Sequence, residues 1–379
     1  MITALLTLMC IASICYYLTG IFAAGRFFSR PSPPCLPSLP PVTIMIPLCG
    51  KDFEAYQNYA SFCHLDYPDY QIVFGVTSEE DSSIPVIRQL IVDFPDKDIE
   101  LLIDGGVIGE NPKVNNLNNM LRMAKHEVIV LVDSDVRVKA DYLKTIVSEL
   151  IGGQVSLVTC LYRAGEAPNW ASKIEAVGIT GEFAPGVLVA WLTEGVSFAF
   201  GATIATTKKN LEAIGGFLAI ADYLADDYML GSLISRSGGK VMVSSHVVEL
   251  ALPPTALKDM LKHQIRWARG IRACRPWGHF GSIITHGTAL AVLLVLLSQG
   301  SVSSLSILAV TLLTRMAVIR QVGIEKLSDR LLRRYFWVVP LRDLFSLVIW
   351  CLGQAGKTVE WRGKTYILTK GGKMMPDRL

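Results

Sequence analysis

The chain has 379 residues, 51% of them hydrophobic and only 18% charged, a balance that excludes disorder and leans away from an ordinary soluble enzyme. Its length admits one sizeable α/β domain with membrane elements beside it, since a soluble domain takes roughly 100–250 residues. A net charge of +3, with no long basic run interleaved with aromatics, excludes a nucleic-acid partner.

Ile2 to Gly25 is uncharged and apolar, long enough at roughly 1.5 Å per residue to cross a hydrocarbon core of about 30 Å. No basic stretch precedes it, and Arg26 and Arg30 follow where a signal peptide needs small residues for cleavage, so residues 1–26 read as an uncleaved anchor. The same arginines place the downstream side in the cytoplasm by the positive-inside rule. Six prolines between Arg30 and Pro41 forbid regular helix and central strand, and residues 27–41 read as a stiff linker. The eight cysteines form no CxxC pair and read as small core hydrophobes in a reducing compartment.

Short β-rich apolar runs follow at Val42 to Pro47, Gln71 to Val76, Ile99 to Ile103 and Val128 to Asp133, with helical stretches around 53–64, 84–94 and 114–124. This alternation predicts an α/β fold with a mostly parallel sheet covered on both faces and ligands at the carboxyl ends of its strands. Polar residues gather at those ends: Ser78-Glu79-Glu80-Asp81, Asp104-Gly105-Gly106 and Asp133-Ser134-Asp135. The DxD puts two carboxylates where a hard divalent ion bridges them to a diphosphate, although acidic pairs also cap helices. The loop from Gly105 to Lys113, with Asn115 and Asn116 after it, offers flexible backbone, one cation and amides to a phosphate, yet matches neither GxxxxGK[ST] nor GxGxxG.

Asp226-Asp227 precedes a predicted helix from Tyr228 to Ser235; it reads either as a helix N-terminus or as a general base for an acceptor hydroxyl. Leu257 to Arg272 has the period of an amphipathic basic helix carrying His263, Arg266 and Trp267. Residues 42–278 thus read as a cytosolic domain. Beyond them, the apolar segments Ser282–Leu297 and Ser303–Ile319 predict a transmembrane hairpin turning at Gly300. Tyr335–Gly353, broken by Pro340 and Arg342-Asp343, reads as an interfacial or re-entrant segment completing residues 279–354, and 355–379 as a basic cytosolic tail.

In order and spacing, an acidic cluster after the second strand, DSD after the fourth, DD before a helix and a terminal RW resemble the D, D, D, (Q/R)xxRW pattern of family-2-type inverting glycosyltransferases. The segments SFCHLDYPDYQIVFGV, NPKVNNLNNM, LVDSDVRV, ADYLADDYMLG, HQIRWAR and PLRDLFSLVIW resemble, more closely, the ceramide glucosyltransferase family and its bacterial relatives that glycosylate hopanoids, over most of Pro41 to Trp361. The resemblance implies a GT-A-type nucleotide-diphospho-sugar transferase domain on a multi-pass protein of the bacterial inner membrane, with the domain in the cytoplasm. It implies a UDP-sugar donor held by Asp81, Lys113, Asn116, Asp133 and Arg266, and Mg²⁺ or Mn²⁺ at Asp133 and Asp135. Asp227 is then the general base, and His263 and Trp267 close the acceptor side. Glu79 and Glu80 stand near enough to replace Asp81, and His263 occupies a position where the pattern has Gln or Arg. Segment similarity puts first the transfer of N-acetylglucosamine to a hopanoid polyol such as bacteriohopanetetrol. The alternative is glucose transfer to ceramide, and a further one is a non-catalytic membrane scaffold of transferase fold.

Overall fold

The structure, a computed structural model, describes residues 1–31, 36 and 38–377; residues 32–35 and 37 of the proline-rich linker, Cys35 among them, lie outside the described residues. The first half alternates strand and helix. β1 (Val42–Pro47), α2 (Ala55–Cys63), β2 (Tyr70–Val76), α3 (Ile84–Asp93), β3 (Asp98–Ile103), α4 (Pro112–Leu121) and β4 (Val128–Leu131) follow a long first helix, α1 (Ile2–Phe28). The second half of the domain adds β5 (Val136–Arg137), α5 (Tyr142–Gly152), β6 (Leu157–Glu166), α6 (Trp170–Gly178), α7 (Ala184–Thr193), β7 (Ile204–Thr207), α8 (Lys208–Ala213), α9 (Asp226–Arg236) and β8 (Val241–Ala251).

The eight strands form one sheet in the order β3-β2-β1-β4-β7-β6-β8-β5. β1 runs parallel to β2, with Val42 opposite Tyr70, and to β4, with Val42 opposite Val128, while β7 lies antiparallel between β4 and β6. Every residue of β1 and β2 is buried, as expected of central strands with helices on both faces. Alternate residues serve two cores. Ile44, Ile46, Ile72 and Phe74 pack with Tyr59, Ile87 and Ile146 on one face, and Met45, Val73 and Ile129 with Val114, Leu117 and Met229 on the other.

After β8 come α10 (Leu257–Cys274), α11 (Pro276–Gly281), α12 (Gly287–Leu297), α13 (Val302–Val318), α14 (Arg330–Tyr335) and α15 (Val339–Gln354). Among the described residues five helical stretches are long and apolar enough to cross a membrane: Ile2–Phe28, Trp170–Thr193, Pro276–Leu297, Val302–Lys326 and Arg330–Gln354. The second was not foreseen, because Glu175 and Glu182 interrupt its apolar pattern. Connectivity limits which of them can cross. Trp170–Thr193 joins β6 to β7, and these strands pair with Leu157 opposite Thr206, so both ends of the stretch lie on one side. Arg330–Gln354 is likewise tied at both ends: Arg163 of β6 donates to the carbonyl of Ser328 (3.0 Å), and Arg272 of α10 donates to that of Gln354. Crossings by α1, α12 and α13 meet no such conflict. Where α12 and α13 meet α15, Arg315 and Asp343 form a buried ion pair at 2.7 Å, with Thr288 donating to Asp343 (2.6 Å) and Arg315 to the carbonyl of Gly181 (2.6 Å). Charge inside an apolar bundle is thereby paired and hydrogen-bonded.

The basic segment expected as a tail is folded instead. β9 (Thr358–Trp361), β10 (Lys364–Leu368) and β11 (Met374–Pro376) make an antiparallel sheet. Val359, Tyr366, Leu368 and Met374 cover Leu224, so the alternating apolar residues that a basic composition hides make a small core of their own. Among the described cysteines only Cys10, Cys63 and Cys160 are buried, while Cys15, Cys49 and Cys351 are exposed; the core reading holds for three of the set.

Candidate active site

The strand ends of the parallel half converge with two helix N-termini. Asn111 caps α4, its side chain accepting from the backbone N–H of Lys113 (2.9 Å) and Val114 (3.1 Å), with Pro112 at the first helical position. The cap aims Lys113 at the end of β4. There its ammonium meets Asp133 at 2.5 Å and Asp226 at 3.4 Å. Asp227, in the first turn of α9, accepts from the backbone N–H of Gly201 (2.8 Å) and of Tyr228 (2.7 Å). A side chain at 201 would disturb the pair: a Cβ there would stand 2.5 Å from Asp133 Oδ2 and 3.2 Å from Lys113 Nζ.

Charge is crowded here. Burial, then Asp133 and Asp52, push the Asp135 carboxyl up to about 7. Burial, then Asp226, push Asp227 up to about 6 against the pull of Lys113. Lys113 is itself held well above its ordinary value, because Asp133, Asp226 and Asp227 outweigh the burial that disfavours its charge. Such crowding is what a divalent cation relieves. Among the described residues no three or more Asp, Glu, His or Cys gather to hold an ion alone. Asp133 and Asp135 fit a hard cation that takes its other ligands from a diphosphate and water, and do not fit an all-protein cage.

Asp81 lies at the carboxyl end of β2, where it accepts from Gly50 N–H (2.9 Å) and from both the N–H (2.9 Å) and hydroxyl (2.6 Å) of Ser83. Burial raises its carboxyl, but these bonds outweigh it and hold the group below the usual value. Glu79 and Glu80 point outward and are exposed, which separates them from Asp81. Asn116 is buried and braces the sheet, donating to the carbonyls of Leu48 (3.3 Å) and Gly75 (2.7 Å) rather than lining the cleft.

On α10, His263 tilts against Trp267 with ring centroids 4.6 Å apart, and Trp267 is partly exposed. Arg266 forms no ion pair with any described residue; burial lowers its pKa, and Glu175, Asp226 and Asp227 push it back. The structure thus gathers Lys113, Asp133, Asp135, Asp226 and Asp227 in one cluster, with Arg266 facing it from α10, Asp81 at the next strand end and Asn116 beneath. Three residues went unrecognised in the sequence. Asp52 follows the first strand, where polar residues were already the signal; burial raises its carboxyl, Ser134 beside it pulls the other way, and its Oδ2 is buried without a hydrogen-bond partner among the described residues. Gly201 and Glu175 carried no local signal.

Fold and site together define a glycosyltransferase of the GT-A type. The chain belongs to glycosyl transferase family 21, whose profile matches residues 5–374. It is 23% identical over 362 residues to ceramide glucosyltransferase 3 of Caenorhabditis elegans, covering 90% of this chain and 75% of that one. With ceramide glucosyltransferase 1 of the same species it shares 28% over 211 residues, 55% of this chain but only 45% of the relative. Among solved structures, a mannosyltransferase from Pyrobaculum calidifontis in complex with GDP-Man and Mn²⁺ superposes with a TM-score of 0.58 at 17% identity, covering 93% of this chain and 98% of that one, a likeness of fold.

Proposed function

We propose that the protein is a membrane-bound inverting transferase that moves glucose from UDP-glucose to the primary hydroxyl of a ceramide-type lipid. The observation that carries the reading is the meeting of Asp227 with the Lys113–Asp133 pair at the strand ends, in a chain whose curated relatives are named ceramide glucosyltransferases. Those names favour ceramide over the hopanoid polyol and N-acetylglucosamine that segment similarity put first.

The roles follow from charge and position. Lys113 and Arg266 face the diphosphate, Asp81 the nucleoside, and His263 and Trp267 the acceptor. The Asp227 carboxylate takes the proton of the lipid hydroxyl as its oxygen bonds to the anomeric carbon, and the bond from that carbon to the diphosphate oxygen breaks, releasing UDP with inversion. Asp133 and Asp135 are the residues to hold Mg²⁺ or Mn²⁺, which when bound supplies positive charge to the leaving diphosphate. Burial of Asp227 keeps its carboxyl basic enough to accept a proton near neutral pH.

The test uses the purified full-length protein in detergent, offered UDP-glucose with a short-chain ceramide or UDP-N-acetylglucosamine with a hopanoid polyol, with and without a chelator. Glucosylceramide formed only without chelator is the expected product. Product from the hopanoid pair alone overturns the acceptor and donor, and full activity in chelator removes the metal from the reading.

A further inference from the structure

His263 departs from the transferase pattern, and a carboxylate from another helix holds it. Glu175 lies on α6, inside the apolar stretch Trp170–Thr193, and is only 5% exposed. A carboxylate so placed needs partners, and both of its hydrogen bonds go to α10. Its Oε1 stands 2.8 Å from His263 Nδ1 and accepts from Gln264 Nε2 at 3.1 Å. The other end of the Gln264 amide accepts from Arg342 of α15 (3.0 Å), and Arg342 also donates to Ser346 (2.5 Å), whose hydroxyl donates to Glu182 (2.6 Å). Gly178, three residues beyond Glu175, leaves room for this: a Cβ there would stand 2.7 Å from the Arg342 guanidinium.

We propose that Glu175 is a positioning residue for the transfer reaction, acting through His263 to set the cleft face of α10. The proposal rests on the transferase reading above. A carboxylate at Nδ1 requires the proton on that nitrogen, leaves Nε2 as the free edge and stops rotation of a ring whose terminal torsion is otherwise broad. The fixed ring packs on Trp267, and Arg266 lies between them in sequence with its guanidinium unpaired among the described residues. A histidine thus stands where the pattern has Gln or Arg because a second helix supplies what orients it.

A double-mutant cycle on the full-length protein, assayed with UDP-glucose and short-chain ceramide, is the test. Glu175→Ala is expected to lower kcat about tenfold while changing the donor KM less than about twofold, as misplacement of a group beside the reacting atoms does. Glu175→Gln, which keeps an acceptor oxygen, restores most of the loss. In a His263→Ala background, Glu175→Ala costs less than about twofold, because the residue it acts through is already gone. Equal losses with and without His263 overturn the proposal, and so does a Glu175→Gln protein as slow as Glu175→Ala. A second readout needs no acceptor: with excess diethyl pyrocarbonate, mass spectrometry of His263 shows one carbethoxyl group in the wild type, on the free Nε2, and a second in Glu175→Ala, where Nδ1 is released. A single addition in both proteins overturns the proposal. If the wild type makes no product from ceramide, the acceptor assignment fails while the reagent still decides for or against Glu175.

Discussion

At Asp227 two pressures oppose each other, burial with Asp226 on one side and Lys113 on the other, and the carboxyl settles at about 6. Asp227→Asn keeps the size but cannot take a proton, and the expected loss of transfer is about 10² or more with donor affinity nearly intact, read by steady-state kinetics and donor titration. Asp226→Asn costs less. The kcat/KM profile of the wild type falls on the acid side near pH 6, where the free base is lost. Stability has its own sign. A carboxyl raised above its unfolded value stabilises the fold while it stays protonated, and that contribution is lost as pH rises through about 6. The apparent Tm of Asp227→Asn minus that of the wild type therefore increases from about pH 4 to pH 7; a difference that falls over that range shows a carboxylate that serves the N-terminus of α9 as an anion. Asp133, Asp135, Asp227 and Lys113 were legible because each lies at a strand end or helix start marked by local pattern. Gly201 and Glu175 were not, since what selects them is a neighbour brought from far along the chain: Asp133 and Lys113 crowd the one, His263 holds the other.

Among the elements, the C-terminal sheet is the largest departure from expectation. Its strands run three to five residues amid lysines and arginines, too short for a period-two pattern to stand out. The parallel strands β1, β2 and β4 were legible for the opposite reason, as continuous β-branched runs buried on both faces. The turn before β11 clasps the site: Leu224 N–H donates to the carbonyl of Gly372 (3.1 Å), Met374 N–H to that of Asp222 (2.7 Å), and Gly371 N–H to that of Ala273 in α10 (3.0 Å). Gly372 has a φ of +90°, and a Cβ on it would meet Cys274 Sγ at 2.6 Å. Gly372→Val is expected to lower turnover and to speed hydrogen exchange of the amides at 222–228. Gly363→Ala, at a φ of +75° that an L side chain also resists but with nothing within 4 Å of its Cβ, strains only the β9–β10 turn and changes both less. If the two variants behave alike, the sheet supports only itself.

For the whole molecule, the ties at both ends of Trp170–Thr193 and Arg330–Gln354 set an expected membrane arrangement. Reporters placed after Arg30 and after the last strand lie on the same side, the cytoplasm by the basic flanks, and a cysteine label at Gln299 reacts from the other. A C-terminal reporter outside breaks that scheme. The Arg315–Asp343 pair makes a second prediction: Arg315→Met strands a buried carboxylate and costs roughly 3–5 kcal/mol, seen as lost folded yield in detergent, and the double variant Arg315→Met, Asp343→Leu recovers much of it.

The clasp on Leu224 also sets an order of assembly. The strand ends that bear Asp81 and Asp133 can form early, but the loop that leads into α9 and Asp227 is fastened by residues about 150 positions later, roughly 8–30 s of synthesis at about 5–20 residues per second. In that interval the α12–α13 hairpin and the helices that anchor α10 must find their places. A nascent chain can therefore hold the strand-end carboxylates in place beside an unfastened Asp227, and the complete cluster arrives last, after the membrane part has been made.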